Sequence, residues 1–327
     1  LLDLAANAEA LSPPDDQAAH GYYSRAADLG DGHALYKLGW MAQYGIVAAA
    51  DLIAARDFYT RATEAGGAEG WYGLGQLIQN PNAGEPDNAG AAAAYEKGAA
   101  QSEPMSETAL AYLYEQGLGV ERDYSRSVAL LTDAVNQDYS FAKAALSIHY
   151  LAGEGVDVDY ARAFTLAYEA ANAGVTYAHG IVGYLYQEGL GTMRDLDAAL
   201  GAYRTGANGG DTYSAGRIEI VEAETACADQ AASPNETSGS HGVALEAIDT
   251  AAAIAACQRA LELNPDSPGD KTWLARAYLS GKDYDSAMPL LEDGVAGGIP
   301  LAMTLAGDLL LAGKGENPDP AKAVDLY

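Results

Sequence analysis

Residues 182–210 read VGYLYQEGLGTMRDLDAALGAYRTGANGG. With Ala178 just before them, Val182, Gly183, Leu185 and Tyr186 place small and apolar side chains at helical spacing. The helix they predict stops at the glycine-rich turn EGLG, residues 188–191. TMRD then leads to Asp195, whose carboxylate is placed to cap a second helix and meet its positive end. The stretch is therefore read as two helices joined by a tight turn.

The same pattern recurs every 36 residues. Gly39, Gly75, Ala111, Ser147 and Gly183 form a column of small residues, and Gly45, Pro81, Gly117, Gly153 and Gly189 a column of helix breakers. Ala55, Ala91, Ser127, Ala163 and Ala199 fall in one register, as do Tyr59, Tyr95, Leu131, Ala167 and Tyr203. Gly66, which closes its unit, has Gly30, Gly174 and Gly210 as counterparts, and the capping aspartate recurs as Asp51, Asp123 and Asp159. The second unit departs from the pattern, with NPNAGEPDN (residues 80–88) in place of the glycine turn. A single helix pair cannot bury its own apolar stripe, so pairs in register must stack on their neighbours.

The segments LGWMAQYG, LAYLYEQGLGVERDYSRSVALL, SIHYLAGEGVDVDYARAFTLAYEAANAG and VGYLYQEGLGTMRDLDAALGAYRTGANGG closely resemble Sel-one-like repeats (SLR) of bacterial type, a branch of the tetratricopeptide-repeat (TPR) superfamily. The resemblance implies an all-α fold, a right-handed superhelical solenoid of helix-turn-helix repeats. It covers residues 1–210, with an incomplete first unit. Residues 211–242 read as an irregular helix ending near Cys227, followed by an exposed Ser/Pro/Gly loop, AASPNETSGSHG, at 231–242. Residues 243–298 are similar to TPR repeats, through ALELNP at 260–265, Trp273, Tyr278 and Ala287. At 299–327 an incomplete final Sel-one-like repeat puts Gly313, Gly315 and Asp319 in the places of Gly45, Val47 and Asp51. Leu2 and Ala6 fall inside a first helix and Tyr327 inside a second, which reads as a segment of a longer or processed chain.

The 327 residues carry 46 acidic against 18 basic side chains, a formal net charge of −28. Nucleic acid and anionic membrane surfaces are disfavoured partners for such a chain. No apolar run approaches the ~18 residues that a membrane helix needs. Many of the acids fall in turns and at helix starts, among them Asp51, Asp123, Glu154, Asp159 and Asp195, where they cap helices and keep the surface soluble.

Cys227 and Cys257, the only two cysteines, bracket the 231–242 loop. The surrounding sequence resembles a junction found in bacterial SLR proteins, some of which carry a caspase-like peptidase domain elsewhere. That resemblance implies a disulfide, which would be worth roughly 3–4 kcal/mol in the chain-entropy model and would point to an oxidising compartment. Two buried free thiols on helix faces are the alternative.

Motifs that carry chemistry are missing. His20, His33, His149, His179 and His241 form no metal-ligand spacing with one another or with cysteine, and His33 and His179 read as surface or packing residues. The acids of 154–159 and 264–270 do not follow calcium-loop order. No phosphate loop or nucleophile elbow occurs, and Asn235-Glu236-Thr237 is an isolated glycosylation sequon. No catalytic residue, metal site or cofactor is expected.

The superfamily resemblance implies a concave wall formed by the first helix of each pair. In register with Gly39, that wall holds Trp40, Gln76, Tyr112, Ile148 and Tyr184, with Tyr36 and Tyr72 one turn before and Gln43, Glu115 and Gln187 one turn after. Tyr and Trp there have the profile of interface anchors, whereas Tyr114, Tyr150 and Tyr186 read as structural. The expected function is a non-catalytic scaffold or adaptor that binds neutral or basic proteins or peptides. Its expected place is the bacterial periplasm, envelope or exterior, with the cytoplasm as the alternative. The rivals are the recognition arm of a larger enzyme such as a caspase-like peptidase, and a structural subunit of an envelope assembly. Mass spectrometry without reductant separates the two cysteine states: no free thiol is expected, and two would remove the argument for export.

Overall fold

Aspartate ends the connections and starts the helices. Asp15, Asp31, Asp51, Asp87, Asp123, Asp195, Asp211, Asp249, Asp283 and Asp319 each accept a hydrogen bond from a backbone N–H of the following first turn. Each such cap is worth about 1 kcal/mol. At the other end, Gly45, Gly117, Gly153, Gly189 and Gly313 adopt the left-handed conformation in which glycine alone carries no Cβ penalty. The second unit breaks the rule as its sequence does. Asn80 leaves its helix in extended backbone and a 3-10 turn, Pro81–Ala83, follows.

The computed structural model describes residues 1–234, 236, 242–314 and 318–327, so His241, Gly315 and the ends of the sequon, Asn235 and Thr237, lie outside the described residues. Among those described there are eighteen α-helices and no strand. They form two compact units, Leu1–Asp159 and Tyr160–Tyr327. The divisions read at 210, 242 and 298 mark changes of repeat type, whereas compactness divides the chain inside the run of repeats.

The first unit holds α1 (Leu2–Glu9), α2 (Asp16–Ala27), α3 (Gly32–Tyr44), α4 (Leu52–Glu64), α5 (Glu69–Gln79), α6 (Asn88–Ala99), α7 (Pro104–Gln116), α8 (Tyr124–Asn136) and α9 (Ser140–Ala152). The second holds α10 (Tyr160–Asn172), α11 (Ala178–Glu188), α12 (Leu196–Asn208), α13 (Thr212–Ala231), α14 (Thr250–Leu263), α15 (Pro268–Ser280), α16 (Tyr284–Ala296), α17 (Pro300–Ala312) and α18 (Pro320–Leu326). Within each unit sequential helices pack together, and first helices of successive pairs also touch: α3 on α5, α5 on α7 and α7 on α9 in the first, α11 on α13 and α13 on α15 in the second. Each unit is thus a stack of helix pairs, as in a solenoid.

The 36-residue columns acquire a physical meaning in the core. The rings of Tyr59, Tyr95 and Tyr203 lie against Gly39, Gly75 and Gly183, so closely that a Cβ on Gly39 or Gly183 would come within 2.6 or 2.7 Å of the ring. Each hydroxyl then donates to a glutamine of the first helix: Tyr59 to Gln43 at 2.9 Å, Tyr95 to Gln79 at 2.8 Å, Tyr203 to Gln187 at 3.0 Å. Burial pushes all three hydroxyls above the usual tyrosine pKa, so they stay protonated donors. In the third and fourth units all three columns change together, to Ala111, Glu115 and Leu131, and to Ser147, Leu151 and Ala167. Where the large ring is gone, the glycine and the amide go with it.

The loop after α13 is less open than its composition suggests. Ala231 ends the helix, and both it and Ala232 are fully buried, which corrects the exposed reading for those two residues. Arg276 donates to the carbonyls of Ala231 and Val243, and Trp273 Nε1 donates to Glu236, so α15 clamps both ends of the loop.

Gly75→Ala drives a methyl into the Tyr95 ring and is expected to cost roughly 1–3 kcal/mol by overpacking. Adding Tyr95→Leu, the pairing that Ala111 and Leu131 already use, should cost at least about 1 kcal/mol less than the sum of the single changes. Urea unfolding of the four proteins measures this coupling, and simple additivity would contradict it.

Candidate partner-binding wall

In the first unit the first helices α3, α5, α7 and α9 stand side by side, and positions 36 residues apart line up across them. Tyr36 is half-buried against Tyr59, ring centroids 5.8 Å apart, and its hydroxyl reaches Met105 Sδ at 3.8 Å, from α3 across to α7. Tyr72 packs in the same way against Tyr95 at 6.0 Å and accepts a hydrogen bond from Gln76 Nε2 at 2.6 Å. Desolvation raises the pKa of both hydroxyls. Trp40 is half-buried between Tyr44, 5.6 Å away, and the Lys37 ammonium at 5.3 Å.

Further along, the wall opens. Tyr112 is 54 % exposed and Ile148 42 %. Two more large side chains of first helices, which the sequence reading did not single out, are exposed as well, Phe141 at 50 % and Tyr44 at 54 %. Phe141 had a signal in the register, being two repeats on from Glu69 and one from Met105. Glu115 is half-exposed, its carboxylate 3.8 Å from His149 Nε2.

Gln43 and Gln187 do not join this surface. Both are buried, and their carbonyl oxygens accept the core tyrosine hydroxyls. Gln187, 1 % exposed in the second unit, also donates to Glu224 and accepts from Arg217, each at 2.8 Å. Their placement on the wall is corrected: an amide one turn after the wall position points back into the helix pair. Tyr184 is half-buried in the second unit, its pKa raised by burial. Tyr114 and Tyr150 are buried, and Tyr186 is half-buried edge-on to Phe164 at 5.0 Å, as their structural reading expects.

At the starts of α3, α5 and α7 a cleft of ≈ 620 Å³ borders the wall, lined by Asp31, His33, Glu69, Glu103, Met105 and Tyr139 among others. His33 Nδ1 meets Glu69 Oε1 at 3.0 Å, and that bond raises the pKa of the exposed imidazole and lowers that of the carboxylate. Glu103 is buried, its oxygens accepting from the N–H groups of Met105 and Ser106, while burial raises its pKa.

His149 belongs to the core. Nδ1 lies 2.9 Å from the Glu154 carbonyl, which only accepts, so Nδ1 carries a proton, and Nε2 lies 3.2 Å from Ser127 Oγ. Among the described residues no group of three or more His, Cys, Asp or Glu is placed to hold a metal ion. No helix among them is long and apolar enough to cross a membrane.

Cys227 of α13 and Cys257 of α14 form a disulfide, their Cα atoms 4.5 Å apart and both side chains fully buried. This resolves the two cysteine alternatives in favour of the bond.

The Sel1 repeat family model matches residues 9–31, 32–67, 104–139, 140–175, 176–211 and 300–327. A tetratricopeptide repeat model matches 244–296. The unmatched stretch 68–103 is the unit whose turn departs from the pattern. Among solved structures, a Sel1 repeat protein from Oxalobacter formigenes is 25 % identical with a TM-score of 0.55, covering 63 % of this chain and 84 % of its own. A protective antigen present in uropathogenic Escherichia coli strains, displaying an SLR fold, is 21 % identical with a TM-score of 0.50, covering 94 % and 78 %. No curated protein matches.

Replacing both cysteines by alanine, or reducing the bond, should lower the stability of the second unit by roughly 3–4 kcal/mol, because the bond closes a 30-residue separation. Denaturant unfolding with and without reductant measures it, and equal midpoints would contradict the expectation.

Proposed function

This chain belongs to the Sel1 repeat family, and from that premise we propose that it is a non-catalytic scaffold that holds protein or peptide partners on its first-helix wall. One observation carries the reading: Tyr44, Tyr112, Phe141 and Ile148 expose large apolar surface on three first helices, α3, α7 and α9, of one unit. Large aromatics at the rim of a rigid helical surface give contact area at little entropic cost, which is the profile of interface anchors.

Tyr36, Trp40, Tyr72, Gln76, Tyr112, Glu115 and Ile148 make the recognition surface of the first unit, and Tyr184 offers a second contact on the other. The partner is neutral or basic. The net charge of −28 and the carboxylates of Glu69, Glu103 and Glu115 beside the wall favour such a segment. The same charge disfavours nucleic acid. Residues 1–210 and 299–327 act as Sel1 arrays, with 243–298 as a TPR insert reached through 211–242. The buried disulfide supports residence in an oxidising compartment, the bacterial periplasm or cell exterior.

Trp40→Ala with Tyr112→Ala should weaken capture of the native partner about tenfold or more, as the loss of anchor residues does, with an unchanged helical circular-dichroism spectrum. Quantitative pull-down from the native source against the unsubstituted protein measures this. Equal capture would rule the wall out.

A further inference from the structure

Asp270, in the first turn of α15, is fully buried, and neither of its carboxylate oxygens has a hydrogen-bond partner. Its neighbours are unusual for an acid. Glu224 of α13 is buried beside it with both oxygens occupied, by Asn264 Nδ2 and Gln187 Nε2, each at 2.8 Å. Glu188, at the end of α11, adds a second repelling carboxylate. Arg194, from the connection between α11 and α12, is the cation that faces it. That guanidinium is already engaged: Nε donates to the Gln187 carbonyl at 2.9 Å, one terminal nitrogen lies 3.9 Å from Glu224, and the group stacks on Trp273 at 4.5 Å.

The other elements packed on α15 bring no relief. Arg259 and Glu262 of α14, and Glu292 and Asp293 of α16, are exposed. Lys271 of α15 pairs with Asp293, and Arg276 is spent on the carbonyls of Ala231 and Val243. Arg217 of α13 donates to Gln187. An ionised Asp270 would therefore be a buried charge with two like charges near it, relieved only by Arg194 and the Ser267 hydroxyl and without a well-formed hydrogen bond on either oxygen, a costly group for a core to hold.

We propose that Asp270 is a built-in proton switch: its neutral carboxyl lets α15 close on α11 and α13, and deprotonation loosens this junction between the Sel1 array and the TPR pair. Desolvation first, and then the charge of Glu224, push its pKa up to about 7, against about 3.9 for an unperturbed aspartate. The sign follows from linkage. Because the folded state holds this proton more tightly than the unfolded chain does, stability is greatest at the acid end. It declines as pH rises from about 4 to about 7 and is level above that. The junction is thus tight in mildly acidic surroundings and slack at and above neutrality.

The test uses the full chain with Trp40→Phe and Trp71→Phe, so that Trp273, which touches Arg194, is the emitting residue. This local readout separates the junction from Glu107 of the first unit, whose pKa burial also raises to about 7. Urea unfolding at pH 5 and pH 8 should give an unfolding constant at least about tenfold larger at pH 8. Asp270→Asn, which imitates the neutral acid, should remove most of that ratio. An equal ratio in the variant, or no rise in the parent, overturns the proposal. Should Asp270→Asn fail to fold, carboxyl-carbon NMR titration of the unsubstituted protein decides: a midpoint near 7 for Asp270 supports it, and one near 4 overturns it.

Discussion

The contact between a tyrosine ring and a glycine, one on each helix of a pair, sets the geometry of this protein. Tyr59, Tyr95 and Tyr203 lie on Gly39, Gly75 and Gly183 with no room for a Cβ, and Tyr327 takes the same place over Gly307. The glycine lets the helices approach. The ring fills the space between them, and in the first three the hydroxyl finds a glutamine amide that stops it from being an orphan. Glycine weakens a helix by roughly 1 kcal/mol relative to alanine, and the buried ring and its hydrogen bond offset that loss. Because ring, glycine and amide depend on one another, they persist or disappear together along the chain.

That interlock also explains which part of the wall is available to a partner. Side chains one turn beyond the wall position are drawn inward by the tyrosine hydroxyls, so Gln43 and Gln187 are core residues despite their polarity. Tyr112 and Ile148 stand on the two units where the second-helix tyrosine is replaced by Leu131 and Ala167. The most exposed large wall side chains in this column are therefore found where the interlock is absent. Of the proposed anchors, Tyr112 and Ile148 sit on helices that use simpler aliphatic packing, whereas Trp40 and Tyr72 stand on helices that keep the interlock.

Around α13–α15 the second unit is stabilised differently. A covalent bond joins α13 to α14, and Gln187 of α11, Glu224 of α13, Arg194 after α11 and Asn264 before α15 form a largely buried polar network. Such networks specify geometry at the expense of desolvation, and an unsatisfied member has large consequences. Asp270 is that member here. The change of repeat type at this point leaves the 36-residue register, and with it the tyrosine interlock, so other interactions must hold the helices.

Helix pairing, turn position and the stacked arrangement were legible in the linear pattern. They depend on local periodicity, capping aspartates and left-handed glycines, all of which act within a few residues. The irregular turn at Asn80 was legible as a departure for the same reason. The inward turn of Gln43 and Gln187, the burial of Ala231 and Ala232, and the exposure of Phe141 and Tyr44 were not. Each depends on what a distant helix places opposite the residue, and a register specifies position without specifying direction. The cysteine pair could be read as bonded or free, and the packing of α13 on α14 decided it. The net charge, known from composition alone, says only that carboxylates are in excess. Tertiary structure decided which of them is in trouble, because desolvation and the lack of a donor at Asp270 arise only once α11, α13 and α15 close around it.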